Sequence, residues 1–399
     1  MTTAFIGGCA IIGDGRVLEH ATVIVQDARI IKVSEGNFKI PKNARKIPMD
    51  GQTLLPGFID SHVHLCMDAS PDPLSSALIG SQTMTTLKAA NFARQTLLAG
   101  ITSVRDMGGK DGIDLGVRQA INSGLIPGPR MLASGHLICM TGGHGWQIGV
   151  EANGADEVRK AAREQIKAGV DIVKLMATGG VMTPRVEPGS EQFTEEEIRA
   201  GVEEAHKAGR KTATHAMGTK GILNALRAGI DSIEHGVYLD EEAVSIMVKR
   251  DVPFIPTISA LYHIESKGAQ AGIPAYAVEK NLKVKPFHRE SIRMAREAGV
   301  RVAMGTDAGT PFNMHGENLG ELKLLVEYGF SPMAAIESGT RIAAQVLGME
   351  KQLGTIAEGK LADLVLVEGN PLEDIGLLLK RESIRLVMQG GKIVSGDDF

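Results

Sequence analysis

Eight apolar runs of strand length, alternating with longer stretches of helical period and set between two β-rich ends, predict an α/β chain: a TIM (β/α)8 barrel carrying a small β-sandwich built from both termini. The expected boundaries are residues 1–56 plus 354–399 for the composite β domain and 57–353 for the barrel. The first end reads AFIGGCAIIGDG, HATVIVQDARIIKVSEG and ARKIPMDGQTLLPG, short β-branched runs punctuated by Gly or Asp. The last part returns to that style in GKLADLVLVEGNPLED and IRLVMQGGKIVSGDD, and two such ends form one domain. The barrel strands are expected in GFIDSHVH from Gly57, ITSVRDMG from Ile101, RMLASG from Arg130, DIVKLMATGG from Asp171, KTATHAMG from Lys211, DSIEHG from Asp231, VPFIPTIS from Val252 and VRVAMGTDAG from Val300.

Helices are expected between them. In ADEVRKAAREQIKAG, Val158, Ala162, Ile166 and Ala168 share one face, and TEEEIRAGVEEAHKAG opens with Thr194 and acidic residues, as a capped N-terminus does. The stretch from Ser266 to Lys285 is looser and reads as a mobile loop. A barrel of about 250 residues can stand as one domain, so 399 residues suit one barrel and something smaller.

Composition removes several function classes. A formal net charge of −4 on a chain this large argues against a nucleic-acid partner. No apolar run approaches the roughly 20 residues needed to span a bilayer, and the opening MTTAFIGGCAIIGDG lacks the basic start of a targeting segment. Cys9, Cys66 and Cys139 are odd in number and far apart, so neither a disulfide framework nor a thiolate zinc site is indicated. A soluble, cytoplasmic protein is expected, with a small-molecule substrate and no membrane partner.

A TIM barrel carries its active site at the C-terminal ends of its strands, so the polar residues there are the test. The first strand ends in His62-Val63-His64, the fourth contains Lys174, the fifth ends in His215, the sixth in His235 and the eighth in Asp307. Alternation puts His62 and His64 on one side. Singly, each has a plain structural reading: a histidine pair is a polar edge or a satisfied core as often as a ligand. Lys174 is stranger, because Ile172, Val173, Leu175 and Met176 make its strand a buried one, where an ammonium must be neutral, paired or modified. Jointly, six such residues at predicted strand ends have no structural purpose.

Through GFIDSHVH, DIVKLMATGG, THAMG, SIEHG and GTDAG, in this order, the chain resembles the amidohydrolase superfamily, in the branch with two metals bridged by a carboxylated lysine. The resemblance spans essentially the whole chain, since that family also builds a β domain from both termini and opens its barrel with text like LPGFIDSHVHL. It implies that His62, His64 and Asp307 hold the more buried metal and that His215 and His235 hold the more exposed one. Lys174, carboxylated by CO2, bridges both together with a hydroxide. Imidazole and carboxylate suit Zn2+, and a carbamate turns a buried cation into an anionic oxygen ligand. Asp307 then takes the proton of the attacking hydroxide and passes it to the leaving amine. Mononuclear deaminases of the superfamily lack the bridging lysine and place a Glu near the fifth-strand histidine, which THAMG does not offer.

A closer resemblance, through TGGHG, TSVRDMGG and ATGGVMTP followed by FTEEEI, is to the prolidase-like and metallo-carboxypeptidase amidohydrolases, which cleave dipeptides and N-acyl amino acids and include ochratoxin-cleaving members. It implies that His144 donates to the substrate carbonyl or its oxyanion. Tyr238 and Arg185 are candidate anchors for a substrate carboxylate, each with a plain alternative as a rim tyrosine or an exposed loop arginine. Arg105 reads as a structural ion-pair partner under the site, His315 as a candidate for the pocket wall, and His136 faces either way. His20, His206, His263 and His288 carry no partner signal. Met107, Met140, Met176, Met182 and Met217 lie near strand ends and form either a plastic apolar wall or core filling, while Cys66 reads as a buried small hydrophobe. The alternative function is ring opening of a cyclic amide, as in imidazolonepropionase or hydantoinase relatives; a non-catalytic scaffold stands behind it. Related barrels form homo-oligomers, which is the expectation here too.

Overall fold

The computed structural model describes residues 1–36 and 38–396; Asn37 and the end of the expected β domain, 397–399, lie outside the described residues. Two sheets form at the chain ends. One orders the strands Arg29–Glu35, Ala21–Gln26, Thr2–Ile6 and Arg45–Pro48; the other orders Lys392–Ser395, Ile384–Gln389, Leu364–Glu368, Gln52–Pro56, Cys9–Ile11 and Val17–Leu18. Their inner faces share one core, with Phe5, Val23, Leu54, Leu364 and Met388 each fully buried. Antiparallel pairing of Gln52–Pro56 with Leu364–Glu368 joins the two chain ends into one unit.

The chain passes from this unit into the barrel at Gly57, whose backbone lies so close to Thr102 that a Cβ would stand 2.3 Å from its Oγ1. Parallel strands then follow at Phe58–Val63, Ile101–Asp106, Arg130–Ala133, Ile172–Met176, Lys211–Ala216, Ile233–His235 and Phe254–Ile255. They form two hydrogen-bonded groups, joined where the Asp171 N–H donates to the Ala133 carbonyl at 2.9 Å. A short parallel pair, Leu137–Cys139 with Gly149–Glu151, sits at that junction and frames the loop that holds His144.

The eighth expected strand is corrected. Residues 300–308 form no continuous strand: isolated bridges, Val302 to Phe254 and Ala308 to Val63, and single backbone bonds such as Ser61 N–H to the Met304 carbonyl at 3.0 Å and Asp307 N–H to the His62 carbonyl at 2.7 Å close the ring. The cause is local: Asp60, fully buried on the first strand, takes the Thr306 N–H at 3.1 Å and its hydroxyl at 2.6 Å, and Asp307 turns into the left-handed region at φ 60°. A side-chain carboxylate therefore takes the place of one backbone acceptor, at Thr306, and interrupts the pairing just before the chain reaches the site.

Two further expectations change. Ser266–Lys285 is not a loop: helix Ile258–Lys267 ends in it and helix Ala275–Glu297 begins in it. The long helix buries Ala277, Lys280, Asn281, Val284 and His288, a stripe of helical period that its polar members and the internal Pro286 conceal in the sequence. On helix Gly154–Ala168 the buried face is Val158, Ala161, Ala162 and Gln165, and Ala168 is exposed at the last turn. Helix Glu195–Lys207 begins with the anticipated Thr194, in a reciprocal box: the Thr194 hydroxyl accepts the Glu197 N–H and the Glu197 carboxylate accepts the Thr194 N–H at 2.8 Å. Thr194→Ala is expected to cost about 1 kcal/mol, read as a lower urea midpoint at unchanged slope; an unchanged midpoint would mean that packing alone sets this helix start. No helix among the described residues is long and apolar enough to cross a membrane.

Candidate active site

Buried polar residues concentrate at the strand ends. On the first strand, Asp60, Ser61 and His62 are almost wholly buried, and so are Thr102, Ser103, Arg105 and Asp106 on the second. A barrel core alone favours apolar side chains there, so this polarity is functional in character.

The four strand-end histidines are each fixed through one ring nitrogen. His62 Nδ1 lies 2.8 Å from the Glu234 carboxylate, His64 Nδ1 2.7 Å from the Gly108 carbonyl, His215 Nε2 2.9 Å from the Gly179 carbonyl and His235 Nδ1 2.7 Å from the Thr257 hydroxyl. The opposite nitrogen of each is left for another partner. That arrangement, with the outer nitrogen tied to an oxygen, is the one metal-ligating imidazoles adopt. Burial, as the largest cause, holds the His62, His215 and His235 imidazoles well below the usual range and brings His64 down to about 4, so all four are neutral near pH 7.

Asp307 completes the cluster, with Oδ1 3.3 Å from His64 Nε2 and 3.5 Å from His62 Nε2. Ligand atoms of His62, His235 and Asp307 all lie within 4.8 Å of one another, close enough for a single ion. That trio crosses the two groups expected from the sequence, since it takes His235 together with His62. Burial pushes the Asp307 carboxyl up to about 7 against the opposing pull of Lys174.

Lys174 is 1% exposed, and among the described residues no carboxylate stands within ion-pair distance of it, although the charges of Glu234 and Asp307 act on it from farther away. Burial is also the main reason its ammonium is brought down to about 8. The donor set of neutral imidazoles, a carboxylate and a lysine near its neutral form fits divalent metal.

Beneath the cluster runs a chain that the sequence reading reached only in part. Arg105 donates to the Ser61 carbonyl at 2.6 Å, the Ser232 hydroxyl at 3.0 Å and Glu234 at 2.8 Å, and the second oxygen of Glu234 meets His62. Arg105 is thus a structural ion pair, as anticipated. Glu234, its partner and the anchor of His62, has no role assigned from the sequence; its one signal there is an acidic residue directly before His235 on a short barrel strand.

Above the cluster lies a mostly apolar cavity, its walls including Met67, Met176, Met182, Met217, Ile148 and Leu261, with the six strand-end residues and His144 also on its surface. Of the expected methionines, Met107 and Met140 do not line it, being placed in the core and at its edge, whereas Met67 does. His288, for which no partner was foreseen, reaches the cavity wall from the long helix. His315 does not: its Nε2 bonds the Met67 carbonyl at 3.0 Å and its ring stacks on Phe92, behind the wall. Cys66 is buried, as read. Arg185 is exposed, and half-buried Tyr238 packs its ring against Phe287, 5.0 Å between centroids; neither lines the cavity.

Two strand-end residues sit in strained backbone, His235 at φ 70° and Asp307 at φ 60°, a conformation uncommon outside glycine.

An eight-segment parallel barrel with buried imidazoles, a carboxylate and a lysine at one end, under an apolar cavity, defines a hydrolase of the metal-dependent barrel class. The chain belongs to the amidohydrolase family, whose profile matches residues 53–394, and it is an enzyme acting on amide bonds. It is 32% identical to ochratoxinase of Aspergillus niger over 99% of this chain and 87% of that protein. Among solved structures it is similar to a Xaa-Pro dipeptidase with methionine bound in the active site, at a TM-score of 0.91 and 34% identity over 99% of this chain and 100% of that one. A prolidase complexed with N-methylphosphonate-L-proline superposes with a TM-score of 0.92 at 33% identity, each chain covered completely at 100%.

Proposed function

We propose that the chain hydrolyses the amide bond of a dipeptide or N-acyl amino acid, using two divalent metal ions, with Zn2+ the ion that the donors suit. The observation that carries the reading is the cluster itself: four imidazoles with their outer nitrogens tied back, one carboxylate and one buried lysine with no hydrogen-bond partner among the described residues, all on the surface of one apolar cavity. His62, His64 and Asp307 would hold one ion, His215 and His235 the other, and Lys174 would span them as a carbamate. That modification forms a bond between Nζ of the neutral amine and the carbon of CO2, with loss of one N–H proton to water. An ammonium brought down to about 8 supplies the neutral amine.

Bound metal ions supply an acidified water for attack at neutral pH and polarise the amide carbonyl. The remaining work falls to the chain. Asp307 Oδ accepts the proton of the attacking water and delivers it to the leaving nitrogen. His144, which lines the cavity and is brought down to about 3 mainly by burial, meets the carbonyl oxygen as a neutral donor while charge develops there. The apolar walls exclude bulk water and strengthen both interactions. The named relatives support this reading: a dipeptidase, an ochratoxinase, and a prolidase holding a ligand whose tetrahedral phosphorus resembles an amide carbon under attack.

The test is a mass-spectrometric cleavage panel. Protein reconstituted with Zn2+ in bicarbonate is offered N-acyl amino acids and dipeptides varying only in the C-terminal residue, alongside cyclic amides. Cleavage of a subset of the linear amides is the expected result, with apolar C-terminal residues leading. Ring opening of the cyclic amides with all linear ones intact would overturn it.

A further inference from the structure

Thr183 lies in the loop between the fourth strand and helix Glu195–Lys207, and its hydroxyl faces His144. Thr183 Oγ1 is 2.8 Å from His144 Nδ1, and it accepts the Gly145 N–H at 3.2 Å. Threonine is 1% exposed at this position, and its hydroxyl proton has no other acceptor among the described residues. A hydroxyl carries one proton and two lone pairs. Gly145 takes one lone pair, and because the hydroxyl proton has no acceptor other than Nδ1 among the described residues it goes there, so that His144 carries its own proton on Nε2. We infer that Thr183 is a positioning residue for His144, holding the imidazole in the tautomer that presents Nε2–H to the cavity.

The surroundings are built to keep Thr183 there. Lys280, 6% exposed on the long helix, donates from Nζ to the Thr183 carbonyl at 2.7 Å and to the Val186 carbonyl at 2.6 Å, and it makes no ion pair among the described residues. One turn earlier, the Tyr276 hydroxyl donates to the Met182 carbonyl at 3.0 Å. A buried ammonium held by two carbonyls and the face of the Tyr276 ring, 5.3 Å from its centroid, is costly to retain, and here it pins the segment on which Thr183 sits. The imidazole is fixed from the other side as well. The backbone N–H of His144 donates to the Gln192 side-chain carbonyl at 3.0 Å, which holds the main chain, and the ring lies over Gly180, where a Cβ would come within 2.3 Å of Nε2. His144 Nε2 has no partner among the described residues, so the donor that Thr183 enforces is free for a ligand.

This inference rests on the proposed role of His144, and the experiment separates the two. Thr183→Val keeps the shape and removes the hydroxyl; Thr183→Ser keeps the hydroxyl. On an amide that the cleavage panel identifies, Thr183→Val is expected to lower kcat about tenfold to a hundredfold, less than or equal to loss of an oxyanion donor, with KM changed less than about threefold and metal content unchanged. Affinity for an N-phosphonyl amino acid should fall by a similar factor, and Thr183→Ser should restore both. His144→Ala should cost about a hundredfold or more, and the double variant His144→Ala/Thr183→Val should be no slower than His144→Ala. Additive losses in the double variant, or failure of serine to rescue, would overturn the positioning role. A His144→Ala protein as active as the wild type would instead remove the role given to His144.

Discussion

Lys174→Ala is expected to yield a folded protein that holds no metal and has lost amide hydrolysis by on the order of a thousandfold or more. Partners one step removed from a metal cost about ten- to a hundredfold when removed, and a residue spanning two ions costs more. Folding should not suffer. Lys174 is 1% exposed and has neither an ion pair nor a hydrogen bond among the described residues, so alanine removes a desolvated cation whose attraction to Glu234 and Asp307 acts only at longer range. In chelator the variant should therefore unfold at a temperature equal to or above that of the wild type. Elemental analysis of metal per chain, paired with thermal unfolding, checks both halves. A variant that keeps two ions and its activity would sink the bridging role, and one that loses metal only because it is unfolded would be seen in the melting curve.

Glu234→Gln should be costly in both stability and metal affinity. Arg105 and Glu234 are 2% and 0% exposed, and the change leaves the Arg105 guanidinium without its counter-charge in a medium that cannot solvate it. Breaking one side of such a buried pair costs about 3–5 kcal/mol. It also exchanges the acceptor at His62 Nδ1, which lies 2.8 Å away, for a neutral amide, and weaker metal binding by about ten- to a hundredfold follows. Pairing the change with Arg105→Met should recover part of the stability while leaving the metal affinity low, because only the charge imbalance has been relieved. Urea midpoints of the two variants, beside competitive metal titrations, make the comparison. A single variant as stable as the wild type would show that Arg105 finds another partner.

Much of this was legible in the residues because barrel strands are short, buried and bounded by glycine, so a polar residue inside one stands out. His62, His64, Lys174, His215, His235 and Asp307 announced themselves in that way, and the structure gathers them around one cavity. What stayed hidden depends on partners distant in the chain. Glu234 acquires its meaning from Arg105, 129 residues away, and from His62, and Lys280 from the carbonyls of Thr183, 97 residues away, and Val186. Local pattern cannot report such pairs. The eighth segment misled for the opposite reason: VRVAMG has the composition of a strand, but Asp60 takes the Thr306 N–H that a ladder would have used. The helix from Ala275 was masked by Lys280 and Asn281, polar residues on its buried face that serve the loop above them and the Leu261 carbonyl.

The left-handed backbone at His235 and Asp307 restricts what those positions can become. Of the side chains able to ligate a metal, aspartate, asparagine and histidine enter that conformation most readily, while glutamate gains no comparable local hydrogen bond. Glutamate at 307 would thus keep the charge yet meet resistance from the main chain before the geometry of any ligand is considered. Glycine at either position would relax the backbone and abolish the site. At these two strand ends, variation that favours folding and variation that favours chemistry run in opposite directions, and only a few residue types lie where the two overlap.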